Sequence, residues 1–298
     1  MDKLKEIVVL SGKGGTGKTT IASSLAVLFR NKIIADADVD AANMYILMNP
    51  DNIKGGDFAG KPVAKIDSKS CINCGICMDL CRFDAIDIID GQHKIDQLSC
   101  DGCTLCSLGC PEKAIQMEPV MVGKWFSSDT EYGKFVYARL DPGAENSGNL
   151  VTMVKHQAKL LAESEKMNYI LIDGPPGIGC PVTSALSGAD YTIIVTEPSI
   201  SGISDLKRII KLSDHFRIKS GIVINKYDIN SDNTQKIENF AKENNIDILG
   251  KVPHSFCIID EISKREIPVG QCSELKEPLT KIFKKITDYF ELKNETDK

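Results

Sequence analysis

Short apolar runs rich in branched side chains alternate along this chain with longer stretches in which apolar residues recur every three or four positions. The runs have the length of buried strands and cover residues 7–10, 32–36, 169–173, 191–196, 221–225 and 247–252. The longer stretches predict amphipathic helices over residues 19–30, 149–166 and 204–215. Because strands and helices alternate, the pattern predicts an α/β fold with a doubly wound, mainly parallel sheet.

The alternation lapses between about residues 61 and 118, where the spacing Cys-x2-Cys-x2-Cys-x3-Cys occurs twice. Similar five-residue segments, 82–86 and 111–115, follow the two cysteine runs. This repetition is typical of a duplicated hairpin-and-helix unit. The sequence therefore predicts three parts. They are an α/β domain built from residues 1–60 and 119–292, a small inserted α+β domain at 61–118, and a polar tail at 293–298.

Composition places the chain among soluble folded proteins, with 42% hydrophobic and 26% charged residues in a length of 298. The first apolar run, residues 7–10, is too short for a signal peptide, and no stretch approaches the roughly 18 apolar residues of a spanning helix. With eleven cysteines and no export signal, we expect a cytoplasmic protein whose thiols are reduced and bind metal rather than form disulfides.

The net charge of −5 is concentrated in residues 64–118, which hold five Lys and Arg against nine Asp and Glu. A nucleic-acid surface is basic, so we expect no nucleic-acid partner. An acidic surface suits docking to a protein with a positive patch, although a solvated surface without a partner explains the same charges.

A phosphate-binding motif, G-x4-G-K-[ST], follows the first predicted strand and precedes the first predicted helix. It comprises Gly12, Lys13, Gly14, Gly15, Thr16, Gly17, Lys18 and Thr19, with Thr20 next in the chain. Backbone N–H groups of such a loop converge on phosphate oxygens. Lys18 is positioned to neutralise the β and γ phosphates, and the Thr19 hydroxyl to bind Mg²⁺.

The additional lysine inside the loop, Lys13, makes the chain resemble the deviant Walker A family that includes MinD, ParA, Mrp and the nitrogenase iron protein. The resemblance implies a homodimer joined through its nucleotide face, with nucleotide held between the subunits. Lys13 would then contact the partner's phosphates and act with Lys18 as a catalytic charge clamp. The alternative is that Lys13 is a solvated loop lysine.

Two aspartate-bearing strand ends match the same family. The segment 34–38 resembles its switch I, which implies that Asp36 supports the Mg²⁺ shell and that Asp38 is the catalytic residue that orients the attacking water. The segment 169–177 resembles Walker B running into switch II, which implies that Asp173 lies near Mg²⁺. Taken alone, an aspartate that ends a strand is usually a turn or capping residue, so these roles rest on the resemblance.

The base-binding side is ambiguous in the sequence. Asn225, Lys226 and Asp228 form an N-K-x-D pattern that also reads guanine in GTPases. The resemblance implies instead that Asn225 contacts adenine and that Pro253 lines the base pocket. We favour ATP and keep GTP as the alternative.

The cysteine runs match the bacterial ferredoxin pattern for two [4Fe–4S] clusters, in which the fourth cysteine of each run serves the other cluster. Zinc is the alternative, but this interleaved spacing fits zinc sites poorly. Arg82 stands where proline is usual after the first run. The predicted ligand sets are Cys71, Cys74, Cys77 and Cys110 for one cluster, and Cys100, Cys103, Cys106 and Cys81 for the other.

Cys180 lies seven residues beyond Asp173, at an offset where the nitrogenase iron protein has a ligand of a cluster bridging its subunits. No second ligand for such a bridge is present in residues 123–166. We therefore favour a buried, inert thiol over a bridging cluster.

Apolar residues with helical spacing also form a stripe near the C-terminal end of the sequence, at Leu279, Ile282, Phe283, Ile286 and Phe290. MinD ends in an amphipathic helix that targets the membrane, so membrane binding is one interpretation. Acidic residues dilute the basic face here, which favours core packing and predicts no stable membrane insertion.

Nearly the whole chain, from Lys5 to about Phe290, is identified as a member of the MinD-superfamily ATPases with an inserted ferredoxin domain. We expect a protein that binds and hydrolyses ATP as a nucleotide-dependent dimer and couples ATP state to electron transfer to a partner. The partner would be a redox protein or metalloprotein that docks on the acidic insert. Two alternatives stay open: an ATPase that carries or matures clusters or metals, and a redox-responsive switch for assembly or positioning.

Overall fold

The computed structural model describes residues 4–144 and 147–296, with side chains up to residue 293. The chain forms two compact units. The larger unit comprises Met1–Gly56, Lys124–Leu140 and Ser147–Lys298, and the smaller unit comprises Asp57–Gly123 and Asp141–Asn146. Within the described part of the chain, no helix is long and apolar enough to cross a membrane.

Thirteen strands are present in the described residues. They are β1 (Lys5–Ser11), β2 (Lys32–Asp36), β3 (Asp51–Ala59), β4 (Val63–Ile66), β5 (Ile86–Ile89), β6 (Gln92–Ile95), β7 (Ile115–Glu118), β8 (Met121–Thr130), β9 (Gly133–Leu140), β10 (Tyr169–Pro176), β11 (Tyr191–Thr196), β12 (Lys219–Asn225) and β13 (Asp247–Val252).

Nine of these strands form one sheet in the order β13-β12-β11-β1-β10-β2-β9-β8-β3. The pairs from β13 through β9 are parallel, and β2 and β11 are buried along their whole length, as expected for strands covered on both faces. This confirms the mainly parallel sheet. The extension through β9, β8 and β3 was not predicted. Polar residues and glycines interrupt the apolar positions of β8 and β3, whereas the buried run at residues 135–138 of β9 was overlooked.

Ten helices are present in the described residues. They are α1 (Lys18–Leu28), α2 (Met44–Met48), α3 (Ile76–Leu80), α4 (Leu105–Gly109), α5 (Ser147–Ser164), α6 (Cys180–Leu186), α7 (Ile200–His215), α8 (Ser231–Glu243), α9 (Phe256–Ser263) and α10 (Ser273–Thr296), with a 3₁₀ turn at Pro268–Gly270 before α10.

The apolar stripe of α10 packs in the core of the larger unit, which confirms core packing. Leu279, Ile282 and Ile286 are fully buried, and Phe290 is buried within the same cluster as the sheet residues. Phe283 packs against Phe29 with ring centroids 4.8 Å apart. The predicted polar tail begins as the last turn of α10, and residues 297–298 lie outside the described residues.

One expectation about the cysteines is wrong. Cys257 at the start of α9 and Cys272 just before α10 form a disulfide, with their Cα atoms 5.9 Å apart. The chain turns back through the 3₁₀ segment between them, and this return brings two cysteines 15 residues apart into contact. The expectation of reduced thiols therefore fails for this pair.

The smaller unit contains two short antiparallel pairs, β4 with β7 and β5 with β6. The eight cysteines of the two runs are here called the ladder cysteines. The unit's own core includes two of them and is formed by Ala64, Cys77, Ile86, Cys106 and Ile115. Three partly buried ladder cysteines, Cys81, Cys100 and Cys110, pack against this core. Five of the eight thiols are thus in or against the hydrophobic core, while Cys74 and Cys103 are exposed.

Candidate functional site

The phosphate-binding loop joins β1 to α1 at the carboxyl edge of the sheet. Gly17 has a φ of 88°, in the left-handed region, and a Cβ there would lie 2.2 Å from the Asn225 amide nitrogen. The Thr16 hydroxyl is buried without a hydrogen-bond partner. Since α1 begins at Lys18, its first backbone N–H groups and this hydroxyl are suited to an oxyanion such as phosphate.

Lys18 is held by the carboxylates that end the neighbouring strands. Its ammonium lies 2.7 Å from Asp173 Oδ1 and 3.4 Å from Asp38 Oδ2. The Thr19 hydroxyl donates to Asp173 Oδ2 at 2.7 Å. Burial alone would lower the pKa of Lys18, but the charges of Asp173 and Asp38 outweigh it and raise that pKa.

Asp36 is fully buried at the end of β2, beside Asp173 in the strand register. Its two oxygens accept hydrogen bonds from the backbone N–H groups of Asp38 at 3.0 Å and Met44 at 3.1 Å. These contacts shape the loop that carries Asp38. Burial and repulsion from Asp173 raise the pKa of Asp36 to about 8.

Even with Asp36 protonated, Asp38 and Asp173 outnumber the single lysine that pairs with them, so a cation would improve the charge balance of the pocket. Burial also raises the pKa of Asp38, although Lys18 opposes that rise. Among the described side chains, no three His, Cys, Asp or Glu converge closely enough to hold one ion by themselves.

Lys13 is held within its own chain by Glu197, a residue that the sequence analysis missed. The Lys13 ammonium lies 2.7 Å from Glu197 Oε1 and donates to Ser201 Oγ at 2.9 Å. Lys226 approaches the second oxygen of Glu197 at 3.2 Å. The available signal was an acidic residue directly after β11, at the same sheet edge as the phosphate loop.

The residues of the N-K-x-D pattern lie against the phosphate loop. Asn225 is buried and its amide donates to the Thr16 carbonyl at 2.7 Å. Asp228 Oδ1 accepts the backbone N–H of His254 at 2.8 Å, which ties it to the segment after β13. Val252 is the register partner of Asn225, so Pro253 follows directly beside the Asn225 strand end.

The eight ladder cysteines line two cavities in the smaller unit. The first cavity holds Cys71, Cys74, Cys77 and Cys110, and the second cavity holds Cys81, Cys100, Cys103 and Cys106. Each cavity thus takes three cysteines from one run and the fourth from the other. These are the two sets that the ferredoxin spacing predicts.

The thiols surround cavities and do not meet at a point. Burial raises the pKa of Cys77 and of Cys106, so both would stay protonated at neutral pH without a metal. The backbone N–H of Ala114 donates to Cys110 Sγ at 3.3 Å. Such a donor stabilises a thiolate, and a cavity wall of four thiols suits a multinuclear cluster better than a single ion.

Cys180 differs from the sequence expectation. It is exposed at the first residue of α6, where the helix start projects from the Gly179 turn, so the prediction of a buried thiol is wrong. Exposure leaves it available for reaction or ligation. The ladder sites do not involve it.

Comparison with known proteins places this geometry among nucleotide-binding folds. A family model described as the CobQ/CobB/MinD/ParA nucleotide binding domain matches residues 7–269. An uncharacterized protein of Methanocaldococcus jannaschii is 30% identical over 290 residues, covering 96% of this chain and 98% of that protein. The septum site-determining protein MinD of Bacillus subtilis is 24% identical over 256 residues, covering 83% of this chain and 75% of that protein.

A solved structure of MinD complexed with Mg-ADP, from Pyrococcus horikoshii OT3, has a similar fold. The TM-score is 0.57 at 17% identity, and the match covers 95% of this chain and 96% of that chain. At this identity the likeness concerns the fold alone.

Proposed function

Because this chain belongs to the CobQ/CobB/MinD/ParA nucleotide-binding family, we propose that it is an ATP-hydrolysing dimer that couples its nucleotide state to electron transfer from two [4Fe–4S] clusters. The observation that carries the proposal is the pair of cavities, each lined by four thiols drawn from both cysteine runs. They occur in the same chain as a nucleotide site of this family.

The larger unit binds Mg-ATP through the residues of its phosphate loop. Lys18 neutralises the β and γ phosphates, and Thr19 exchanges its contact with Asp173 for Mg²⁺. Asp38 orients the attacking water from the loop that Asp36 shapes. The surplus of buried carboxylates supports this assignment, because the incoming cation offsets their repulsion.

Lys13 completes the site of a second subunit. In the proposed dimer it leaves Glu197 and contacts the phosphates of the partner's nucleotide, where it offsets the charge that develops during hydrolysis. Its partial exposure, 33% of the side chain, supports this role because the ammonium is at the surface of its own chain.

Adenine is the proposed base. Asp228 would hydrogen-bond guanine in the GTPase pattern, but its carboxylate is engaged by the His254 backbone N–H. The Asn225 amide nitrogen is engaged by Thr16, and its oxygen accepts from the Lys226 N–H. These contacts favour a structural use of the N-K-x-D pattern. Competition between ATP and GTP for binding tests the assignment.

In the smaller unit, the cysteine thiolates would ligate one cluster in each cavity, and a bound cluster supplies one-electron redox chemistry. The residues fit this group, because two thiols of the eight are buried and the others lie at the cavity walls. Each set closes only when both runs are folded together. This arrangement favours resident clusters over a transferable cargo, which fewer and more exposed thiols would hold.

A decisive experiment combines composition with turnover. The protein is purified without oxygen, its iron and sulfide are quantified, and Mg-ATP hydrolysis is measured for wild type and Lys13→Ala. We expect about eight iron and eight sulfide per chain from two four-iron clusters, and hydrolysis that the variant loses together with ATP-dependent dimerisation. Absence of stoichiometric iron, or full turnover by monomeric Lys13→Ala, would overturn the proposal. Release of clusters to an apoprotein would favour a carrier.

A further inference from the structure

The two halves of the smaller unit are related residue by residue at an interval of 29 positions. Each cysteine run is preceded by a strand and an Asp–Ser turn. Asp67 accepts the Ser70 hydroxyl at 2.7 Å, and Asp96 accepts the Ser99 hydroxyl at 2.6 Å. The same interval relates β4 to β6 and the first cavity to the second. The two cavities can therefore be compared position by position.

Two linked differences distinguish the first cavity. Ala64 lines the second cavity, while its counterpart in the first cavity is His93. The position held by Gly102 beside the second cavity is held by Asn73 beside the first. These two replacements contact each other, since His93 Nδ1 lies 3.2 Å from the Asn73 side-chain oxygen. The second cavity has neither group.

His93 has an unusual hydrogen-bonding state. Its side chain lines the first cavity and the residue is only 6% exposed, yet Nε2 is buried without a hydrogen-bond partner. A buried polar nitrogen without a partner is destabilising. This orphaned atom beside four thiols points to a ligand in the cavity.

Asn73 determines which nitrogen of His93 carries the proton. Its side-chain oxygen accepts a hydrogen bond from the Cys71 thiol, with Sγ and Oδ1 3.6 Å apart. A Cys71 that ligates iron is a thiolate and only accepts hydrogen bonds, so Asn73 must turn its amide nitrogen toward it; the two ends of an amide are interchangeable in shape. The same NH₂ group then donates to Nδ1 of His93. The Asn73 oxygen faces Nδ1 in the chain without a cluster. With the amide turned, the imidazole proton resides on Nε2.

We propose that His93 donates an Nε2–H hydrogen bond to sulfur of the cluster held by Cys71, Cys74, Cys77 and Cys110, and that this makes it the higher-potential cluster of the pair. The inference rests on the proposed function. Hydrogen bonds to sulfur stabilise the more negative, reduced state and raise the reduction potential. An electron that enters the pair therefore settles in the first cavity.

The test is an EPR-monitored redox titration of the full chain, prepared without oxygen and reduced with dithionite. His93→Ala and Asn73→Gly each install the residue that the other half already uses, so the fold tolerates both. Gln92→Ala is the matched control, because Gln92 is exposed on the same strand. His93→Gln, which keeps an N–H donor, tests rescue.

We expect two separate midpoints in the wild type. His93→Ala lowers the upper midpoint so that the reduced-to-oxidised ratio of that cluster falls about tenfold at fixed potential, which is ~59 mV for a one-electron couple. The lower midpoint stays in place, so the two converge. Asn73→Gly also lowers the upper midpoint. His93→Gln restores part of the potential that His93→Ala loses, and Gln92→Ala changes neither midpoint.

The outcomes separate this inference from the proposed function. A wild-type chain without eight iron defeats the proposed function itself. If the chain holds eight iron but neither midpoint moves in His93→Ala and Asn73→Gly, the proposed hydrogen bond is overturned and the proposed function is not. If His93→Ala loses iron, the titration of Asn73→Gly becomes the test of the hydrogen bond. An unchanged upper midpoint in Asn73→Gly would then contradict the inference.

Discussion

Replacing Glu197 by glutamine should strengthen ATP-dependent dimerisation. In the free chain Glu197 holds Lys13 through a 2.7 Å ion pair, and in the proposed dimer Lys13 must leave it. Burial would raise the pKa of Glu197, but hydrogen bonds from Lys13 and Lys226 outweigh it and lower that pKa. Glu197 is therefore charged at neutral pH, and the pair must be broken on association.

The magnitude follows from the exposure of the two side chains, 33% for Lys13 and 18% for Glu197. Partly exposed ion pairs contribute ~0.2–1 kcal/mol. Two such pairs break per dimer, so Glu197→Gln should tighten the dimer by up to ~2 kcal/mol, or about 30-fold in dissociation constant.

Sedimentation velocity in a nonhydrolysable ATP analogue measures this constant directly. Lys13→Ala/Glu197→Gln is the control, and it should show no gain over Lys13→Ala, because the released lysine is absent. An unchanged or weaker dimer in Glu197→Gln would refute the assignment of Glu197 as the residue that retains Lys13.

Three further predictions concern stability. The pKa of Asp36, about 8 in the folded chain, exceeds its unfolded value, so the folded state keeps a proton that the unfolded chain releases. The unfolding free energy of metal-free protein should thus fall as pH rises from 5 to 8, by up to ~1.4 kcal/mol per pH unit. In urea titrations, the unfolding free energy of Asp36→Asn should depend less on pH than that of wild type. An equal pH dependence of the two proteins would count against the raised pKa. Gly17→Ala should lower the melting temperature of nucleotide-free protein, because the left-handed φ alone costs ~1–2 kcal/mol and the Cβ meets Asn225. Gly14→Ala, where a Cβ meets nothing within 4 Å, should not, and equal effects would contradict the reasoning. Cys257→Ser should cost ~3 kcal/mol in urea unfolding by opening a loop of about 15 residues; reductant should erase the difference from wild type, and a difference that persists argues against the disulfide.

The sequence predicted the elements that depend on continuous burial. The branched runs of β1, β2 and β11 carry their own signal, because both faces of those strands lie in the core. β8 has no such signal, since polar residues such as Ser127 and Asp129 interrupt its apolar positions. Sequence period alone could not place it in the sheet.

The candidate sites divide in the same way. The two groups of four cysteines that line the cavities followed from the spacing, because each run fixes three thiols on one short turn and helix. Glu197 and His93 were missed, since each is a single residue whose meaning depends on what the fold brings beside it. The Cys257–Cys272 pairing was equally hidden, because cysteine positions alone do not determine connectivity.

The most direct test of the central claim is an EPR-monitored redox titration of the iron-loaded protein with ADP and with a nonhydrolysable ATP analogue. We predict that the analogue shifts at least one cluster midpoint or line shape, and that Lys18→Ala, which removes the phosphate contact, abolishes the shift. Identical midpoints and spectra in both nucleotides would contradict the coupling of nucleotide state to the clusters.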